Sequence, residues 1–189
     1  RVLDNTCQYP TLFFKKDLFR IVEGDEFWLS KTPEIHRSKN WDSAFPRMLS
    51  TATVEFQESG QVFSVAVTHL DHMGQKARVK QAEIIARWAG RRTVPVILLG
   101  DFNDGPGSAA HAALINKVTG FSDSWELLGH PEGNESFTHH AFTGTPEKER
   151  IDWILNTVPP YVVTARIVHD QFDGRYASDH FPYCVDFTW

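Results

Sequence analysis

Apolar and polar positions along this chain change places in short runs, and one stretch breaks that rhythm with helical spacing. Residues 11–14 (Thr-Leu-Phe-Phe) predict a short strand, closed by a turn at Lys15-Lys16-Asp17. Residues 20–22 read as a further strand with a turn near Gly24-Asp25, and residues 27–30 form an aromatic run. Residues 31–45 are polar and irregular, with Pro33 and Pro46 as breakers. Residues 48–56 and 62–70 flank the turn Glu58-Ser59-Gly60-Gln61 and predict a hairpin. Over residues 75–89, Val79, Ala82, Ile85, Ala86 and Ala89 share one helical face, and Gly90 is a natural C-terminal stop. Residues 94–99 form a nearly continuous apolar run ending at Gly100, which suits a strand buried on both faces. Residues 151–155, 162–168 and 183–189 complete the predicted strands.

The segment 62–100 therefore reads strand–helix–strand, a unit that makes its two strands parallel. Their C-terminal ends then share one sheet edge, where ligand sites of open α/β sheets lie. Those ends carry Thr68-His69-Leu70-Asp71 and Gly100-Asp101-Phe102-Asn103. Taken alone, Gly100-Asp101-Phe102-Asn103-Asp104 would serve equally as an Asx turn, and His69 as a satisfied strand-end histidine. Asp152 is different, because it interrupts an apolar strand between Ile151 and Trp153, and a carboxylate there needs partners or water. Asp179-His180 before Phe181-Pro182 is again a possible turn.

Together these residues say more. Three carboxylates, two imidazoles and one amide on one rim suit oxygen-ligand metal chemistry, with Mg²⁺ or Mn²⁺ preferred over soft metals. A carboxylate orients a neighbouring imidazole, and an Asn stabilises an oxyanion without adding charge. Such parts serve attack of water on phosphorus.

Composition narrows the partners. Hydrophobic residues make up 41% of the 189 and aromatic residues 13%, which supports one globular core over residues 1–189. With 24 acidic and 19 basic residues the net charge is −5, which argues against a nucleic-acid binder held by bulk positive charge. Two cysteines, Cys7 and Cys184, exclude a disulfide scaffold and read as partly buried thiols. No stretch approaches the roughly 18 apolar residues of a membrane span. No signal-peptide core is visible, and the compartment is left open. The chain opens at Arg1 without an initiator Met, which reads as a processed product or a fragment.

At these residues the chain resembles the endonuclease/exonuclease/phosphatase superfamily, the deoxyribonuclease I-like group. The resemblance rests on Thr68-His69-Leu70-Asp71, Gly100-Asp101-Phe102-Asn103, Arg150-Ile151-Asp152-Trp153-Ile154 and Ser178-Asp179-His180-Phe181-Pro182, in that order. Phe27-Trp28-Leu29-Ser30-Lys31-Thr32-Pro33-Glu34, Trp41-Asp42 and Pro46-Arg47 are similar to its metal-dependent hydrolase subgroup. The resemblance implies a four-layer α/β/β/α sandwich of two mixed sheets, incomplete at the N-terminus, with the site at the rim between the sheets. It implies a phosphoesterase using Mg²⁺ or Mn²⁺ to hydrolyse a phosphodiester or phosphomonoester in a nucleic acid, a phospholipid headgroup, an inositol phosphate or a small phosphodiester. Asp101 would orient or deprotonate the attacking water, and Asn103 would stabilise the pentacovalent phosphate. His180 would contact the phosphate or act as base, and His69 would hydrogen-bond a phosphate oxygen. Asp152 would position water, while Asp179, with Asp101, would bind metal. Arg47 and His140 would face the substrate.

Relatives carry an Asn on a first strand and a later Glu that binds metal, and neither segment is found in this chain. Where the subgroup has Glu before the first strand seen here, this chain has Gln8. Two alternatives therefore accompany the hydrolase: a catalytically silent binding module on the same fold, and an inactive fragment of a longer hydrolase.

Overall fold

The computed structural model describes residues 8–189. Cys7 lies outside them. Strand β1 (Phe19–Trp28) pairs antiparallel with β2 (Met48–Phe56), which pairs antiparallel with β3 (Gln61–His69). Helix α1 (Gln75–Ala89) then crosses to β4 (Val96–Asp101), which lies parallel to β3 as the strand–helix–strand pattern requires. After α2 (Ala109–Leu114), β5 (Ser122–Asp123) and α3 (Ser124–Leu127), strand β6 (Asp152–Asn156) pairs antiparallel with β4. The resulting mixed sheet has the order β1-β2-β3-β4-β6-β5. A second sheet joins β7 (Tyr161–Ile167) to β8 (Tyr183–Thr188).

Side-chain alternation gives the large sheet two apolar faces. In β4, Val96 and Leu98 point into one core with Ala66, Ala82, Ile85, Ala110 and Leu114, which seats α1 and α2. Ile97 and Leu99 point the other way, toward Val54, Phe63, Val65 and Trp189 beside the second sheet. Each fully buried Ile or Leu of these cores contributes about 2 kcal/mol by area removed from water. On α1 the buried positions are Ala77, Gln81, Ala82, Ile85 and Ala89, so alanines let the helix approach closely. Gln81 is satisfied there, accepting from Asp71 N at 3.0 Å and donating to Ser43 Oγ at 3.2 Å. Gly74 offers no side chain to cap α1. Asp42 caps it from the preceding loop, accepting from Ala77 N at 2.7 Å.

The structure departs from the sequence reading in three places. Residues 11–14 form no strand. Leu12 and Phe14 pack against the second core while Phe13 is exposed, so alternation is present without a ladder partner. No turn occurs at Gly24-Asp25: β1 runs straight through, because β2 pairs with it along its whole length and a register shift at Ile21/Glu23 absorbs the irregularity. Gly90 follows the end of α1 with φ −63°, a right-handed residue and not the left-handed cap. Cys184 is a half-buried free thiol in β8. No helix among the described residues is long and apolar enough to cross a membrane.

Candidate active site

Strand register assembles the first part of the site. His69 is the register partner of Asp101 between β3 and β4, and Asp101 is that of Asp152 between β4 and β6. Three residues far apart in sequence thus form one row across three neighbouring strands. His69 Nε2 lies 3.2 Å from Asp101 Oδ2. Gly100 makes this close pairing possible. A Cβ there would lie 2.0 Å from the Thr68 carbonyl oxygen, and its φ of +147° is one that L side chains rarely adopt.

The chain then turns sharply out of β4. Asn103 takes a left-handed φ of 51°, which Asn tolerates, and its N–H donates to Asp101 Oδ1 at 2.8 Å. Its side-chain amide donates to the Leu70 carbonyl at 3.0 Å, so Asn103 is held over the ends of β3 and β4 with a second amide hydrogen to spare.

The second part comes from two loops stitched together. Phe181 N donates to Thr138 O at 2.7 Å, His140 N to Asp179 O at 2.8 Å, and Asp152 N to Thr138 Oγ1 at 3.2 Å. This clamp brings His180 Nδ1 to 2.7 Å from Asp152 Oδ2. The His139 ring stands edge-on to His180, with centroids 5.0 Å apart.

The expectation for His140 needs correction. Its ring is fully buried, stacks on Phe181 at 3.9 Å and accepts from Gly144 N at 3.2 Å. It props the loop and does not face the cavity. Its neighbour His139 lines the cavity instead.

The protonation states are divided. Burial, then the adjacent Asp152 charge, pushes the Asp101 carboxyl up to about 6. Burial, then the Arg47 charge, pushes His69 down to about 3. At neutral pH a neutral His69 therefore stands beside an ionised Asp101, and the pair is not a salt bridge. For His180, burial disfavours the charge, but the hydrogen bond and charge of Asp152 with the charges of Asp101 and Asp179 outweigh it and raise the imidazole above its usual value. The His180–Asp152 hydrogen bond becomes an ion pair whenever the imidazole is protonated.

A loop before β2 supplies the opposite wall. Arg47 is buried, donates to Gln8 Oε1 at 2.8 Å and to His72 Nδ1 at 3.3 Å, and has Asp71 Oδ2 3.9 Å from its Nε. Asp71 is a hub, accepting from Ser43 Oγ, Phe45 N, Met73 N and Gly74 N at 2.7–3.0 Å. Burial opposes its charge, yet the backbone N–H donors win and hold its carboxyl down to about 2. Arg47, His69, Asn103, His139, Asp179 and His180 line one cavity of about 450 Å³, together with Phe45, His72 and Lys148. Phe45 stacks on His72 with centroids 5.5 Å apart.

The donor set fits a divalent cation. His139, Asp179 and His180 offer ligand atoms that all lie within 4.8 Å of one another. Asp101 is not in this group. Its oxygens accept from Asn103 N and face His69. A second acidic and imidazole cluster, at His111 and Asp123, is structural. His111 accepts from Gly107 N at 3.2 Å and faces Asp123 at 3.2 Å, and fully buried Arg150 bonds Asp123 at 2.9 Å and Glu132 at 2.7 Å.

Sequence reasoning missed His72, His139 and Lys148 as cavity residues and Asp71 as an organiser. Asp71 closes the Thr68-His69-Leu70-Asp71 motif and His72 follows it, a signal that adjacency could have supplied. His139 and Lys148 carry no such mark, because the clamp between two loops brings them in.

No protein-family model and no curated protein matches the chain. Solved structures do. A mannosyl-6-phosphatase of Bacteroides thetaiotaomicron VPI-5482 is 30% identical, with TM-score 0.82, over 93% of this chain and 69% of that one. An endonuclease/exonuclease/phosphatase family protein of the same species is 30% identical, with TM-score 0.81, over 92% of this chain and 67% of that one. D. rerio TDP2 complexed with a single-strand DNA product, at 22% identity and TM-score 0.72, covers 92% of this chain and 70% of its own, and shares the fold.

Proposed function

The chain belongs to the endonuclease/exonuclease/phosphatase family, and on that premise we propose that it hydrolyses a phosphate ester by in-line attack of a water activated at Asp101. The observation that carries this reading is the row His69–Asp101–Asp152–His180, whose two imidazoles have their proton affinities shifted in opposite directions, His69 down and His180 up. Asp101 is ionised just above pH 6 and accepts a proton from water, with neutral His69 and Asn103 N–H fixing its two oxygens. Asn103 offers its remaining amide hydrogen to an oxygen of the phosphate as charge develops. His180, held protonated by Asp152, binds the phosphate or hands its proton to the leaving group. This replaces the base role open to it from sequence. Arg47 adds a buried positive charge on the opposite wall.

The cofactor in this reading is Mg²⁺ or Mn²⁺, toward which Asp179 and His139 would offer ligand atoms, while His180, protonated in this reading, would not. When bound, a divalent ion supplies charge neutralisation at the phosphoryl oxygens. The substrate is a small phosphate ester. The cavity of about 450 Å³ and the net charge of −5 support a compact ligand over duplex nucleic acid. The name of the Bacteroides phosphatase, a sugar-phosphate activity, points the same way. The assignment of residues 1–189 to one domain is part of the same proposal.

Hydrolysis of p-nitrophenyl phosphate and bis-p-nitrophenyl phosphate with Mg²⁺, Mn²⁺ or chelator tests it. Turnover is expected with metal, falling at least ~100-fold in Asp101→Ala and His180→Ala. Metal-dependent turnover that survives Asp101→Ala sinks the mechanism, and no turnover with either ester favours a silent binding module.

A further inference from the structure

Lys148 sits on the loop between His140 and Arg150 and lines the cavity with Arg47, Asn103, His139 and His180. Its backbone has a left-handed φ of 65°, a conformation that costs a non-glycine residue on the order of 1 kcal/mol. The surrounding loop is built to hold it there. Glu147 N donates to His139 O at 2.9 Å, and Glu147 Oε1 lies 3.0 Å from His139 Nδ1. The Glu149 carboxylate packs against Gly105 so closely that a Cβ on Gly105 would lie 1.8 Å from its Oε2. A Cβ on Gly144 would likewise lie 2.1 Å from Tyr176 Oη.

Both acidic neighbours of Lys148 are thus engaged elsewhere, and no carboxylate among the described residues pairs with its ammonium. The side chain is exposed, and Lys148 lines the same cavity as His139 and His180. Arg47, by contrast, already serves Gln8 and His72. Lys148 is therefore a cation presented to the cavity with its donors uncommitted.

We propose that Lys148 is a specificity-determining substrate-binding residue that grips the second negative charge of a phosphomonoester, so that the cavity prefers a monoester dianion to a diester monoanion. A monoester carries close to two charges at neutral pH because its second ionisation falls near ~6, whereas a diester carries one. Arg47 and protonated His180 suffice for the first charge, and Lys148 answers the second. The inference rests on the phosphoesterase reading and names the substrate class within it.

The test compares the full chain with Lys148→Gln and Lys148→Arg. The ratio of kcat/KM for p-nitrophenyl phosphate to that for bis-p-nitrophenyl phosphate is expected to fall about tenfold in Lys148→Gln, mainly through KM for the monoester, and to recover in Lys148→Arg. An unchanged ratio overturns the proposal. Calorimetric titration with inorganic phosphate reads the same contact without turnover. Lys148→Gln is expected to weaken binding about tenfold, and equal affinity overturns it. If the wild-type chain hydrolyses neither ester while phosphate affinity still depends on Lys148, the catalytic reading fails and the anion contact stands.

Discussion

His180 Nδ1 donates to Asp152 Oδ2 at 2.7 Å, and that same carboxylate belongs to the residue paired in strand register with Asp101. One acid therefore acts on two neighbours in opposite senses. It stabilises the proton on His180 and, by repulsion, raises the carboxyl of Asp101.

Replacing Asp152 by Asn removes both influences. The His180 imidazole is expected to titrate at lower pH in Asp152→Asn than in the wild type, as followed by NMR of its ring Cε1 proton. Activity is expected to fall by ~100-fold or more because the imidazole loses both charge and orientation. A His180 titration that does not move would show that Asp152 is not what holds the proton.

Asp101 trades stability for chemistry. Its folded-state carboxyl lies at about 6, above the usual carboxylate value of 3.8, so the folded state favours the protonated form. Stability from this group is full below the unfolded value and is lost as pH rises through about 6. At pH 7, Asp101→Asn is expected to stabilise the protein by on the order of 1–3 kcal/mol in urea unfolding while abolishing turnover. Wild-type activity should rise between pH 5 and 7 as the carboxylate forms, and a rate independent of pH across that interval would exclude Asp101 as the base.

Asp71 has the opposite sign. Its folded-state carboxyl lies at about 2, below the usual carboxylate value of 3.8, so its contribution is present above the unfolded value and lost as pH falls through about 2. Asp71→Asn is expected to cost about 2 kcal/mol at pH 7, with the gap to wild type closing as pH approaches 2. Chemical denaturation at both pH values measures this. A gap that persists at pH 2 would trace the loss to packing around Ser43 and Phe45.

Gly100→Ala is expected to be among the most damaging small substitutions. The added methyl group meets the Thr68 carbonyl at 2.0 Å, which forces β3 and β4 apart where His69 pairs with Asp101. A loss of roughly 3 kcal/mol or more is expected, read as a lowered Tm with activity reduced in the remaining folded protein. An unaltered Tm would mean that the strands separate without cost.

Much of this site was legible before any coordinates. His69 and Asp101 could be assigned to one sheet edge because a strand–helix–strand pattern dictates parallel strands with coincident ends, and β3, α1 and β4 obey it. Asp152 announced itself as an acid inside an apolar strand. By contrast, β1 was read as broken at Gly24-Asp25, since turn residues look alike whether or not a neighbouring strand pairs through them. The short α2, β5 and α3 were not foreseen, because elements of two to six residues carry too few periods to show.

Adjacent histidines show where sequence reasoning ends. His139 and His140 have nearly the same local neighbours, yet one lines the cavity and the other stacks inside on Phe181. Which of them turns inward follows from the hydrogen bonds joining residues 138–141 to 178–181, partners about forty residues away. Local spacing determined which strands run parallel, which helix face is buried and which polar residues end on a common rim, because those follow from the period of the backbone itself. Tertiary packing alone decided the sign of each proton affinity, the choice between the two histidines and the exposure of Lys148 to the cavity, because burial and charge depend on neighbours that the chain brings together only when it closes.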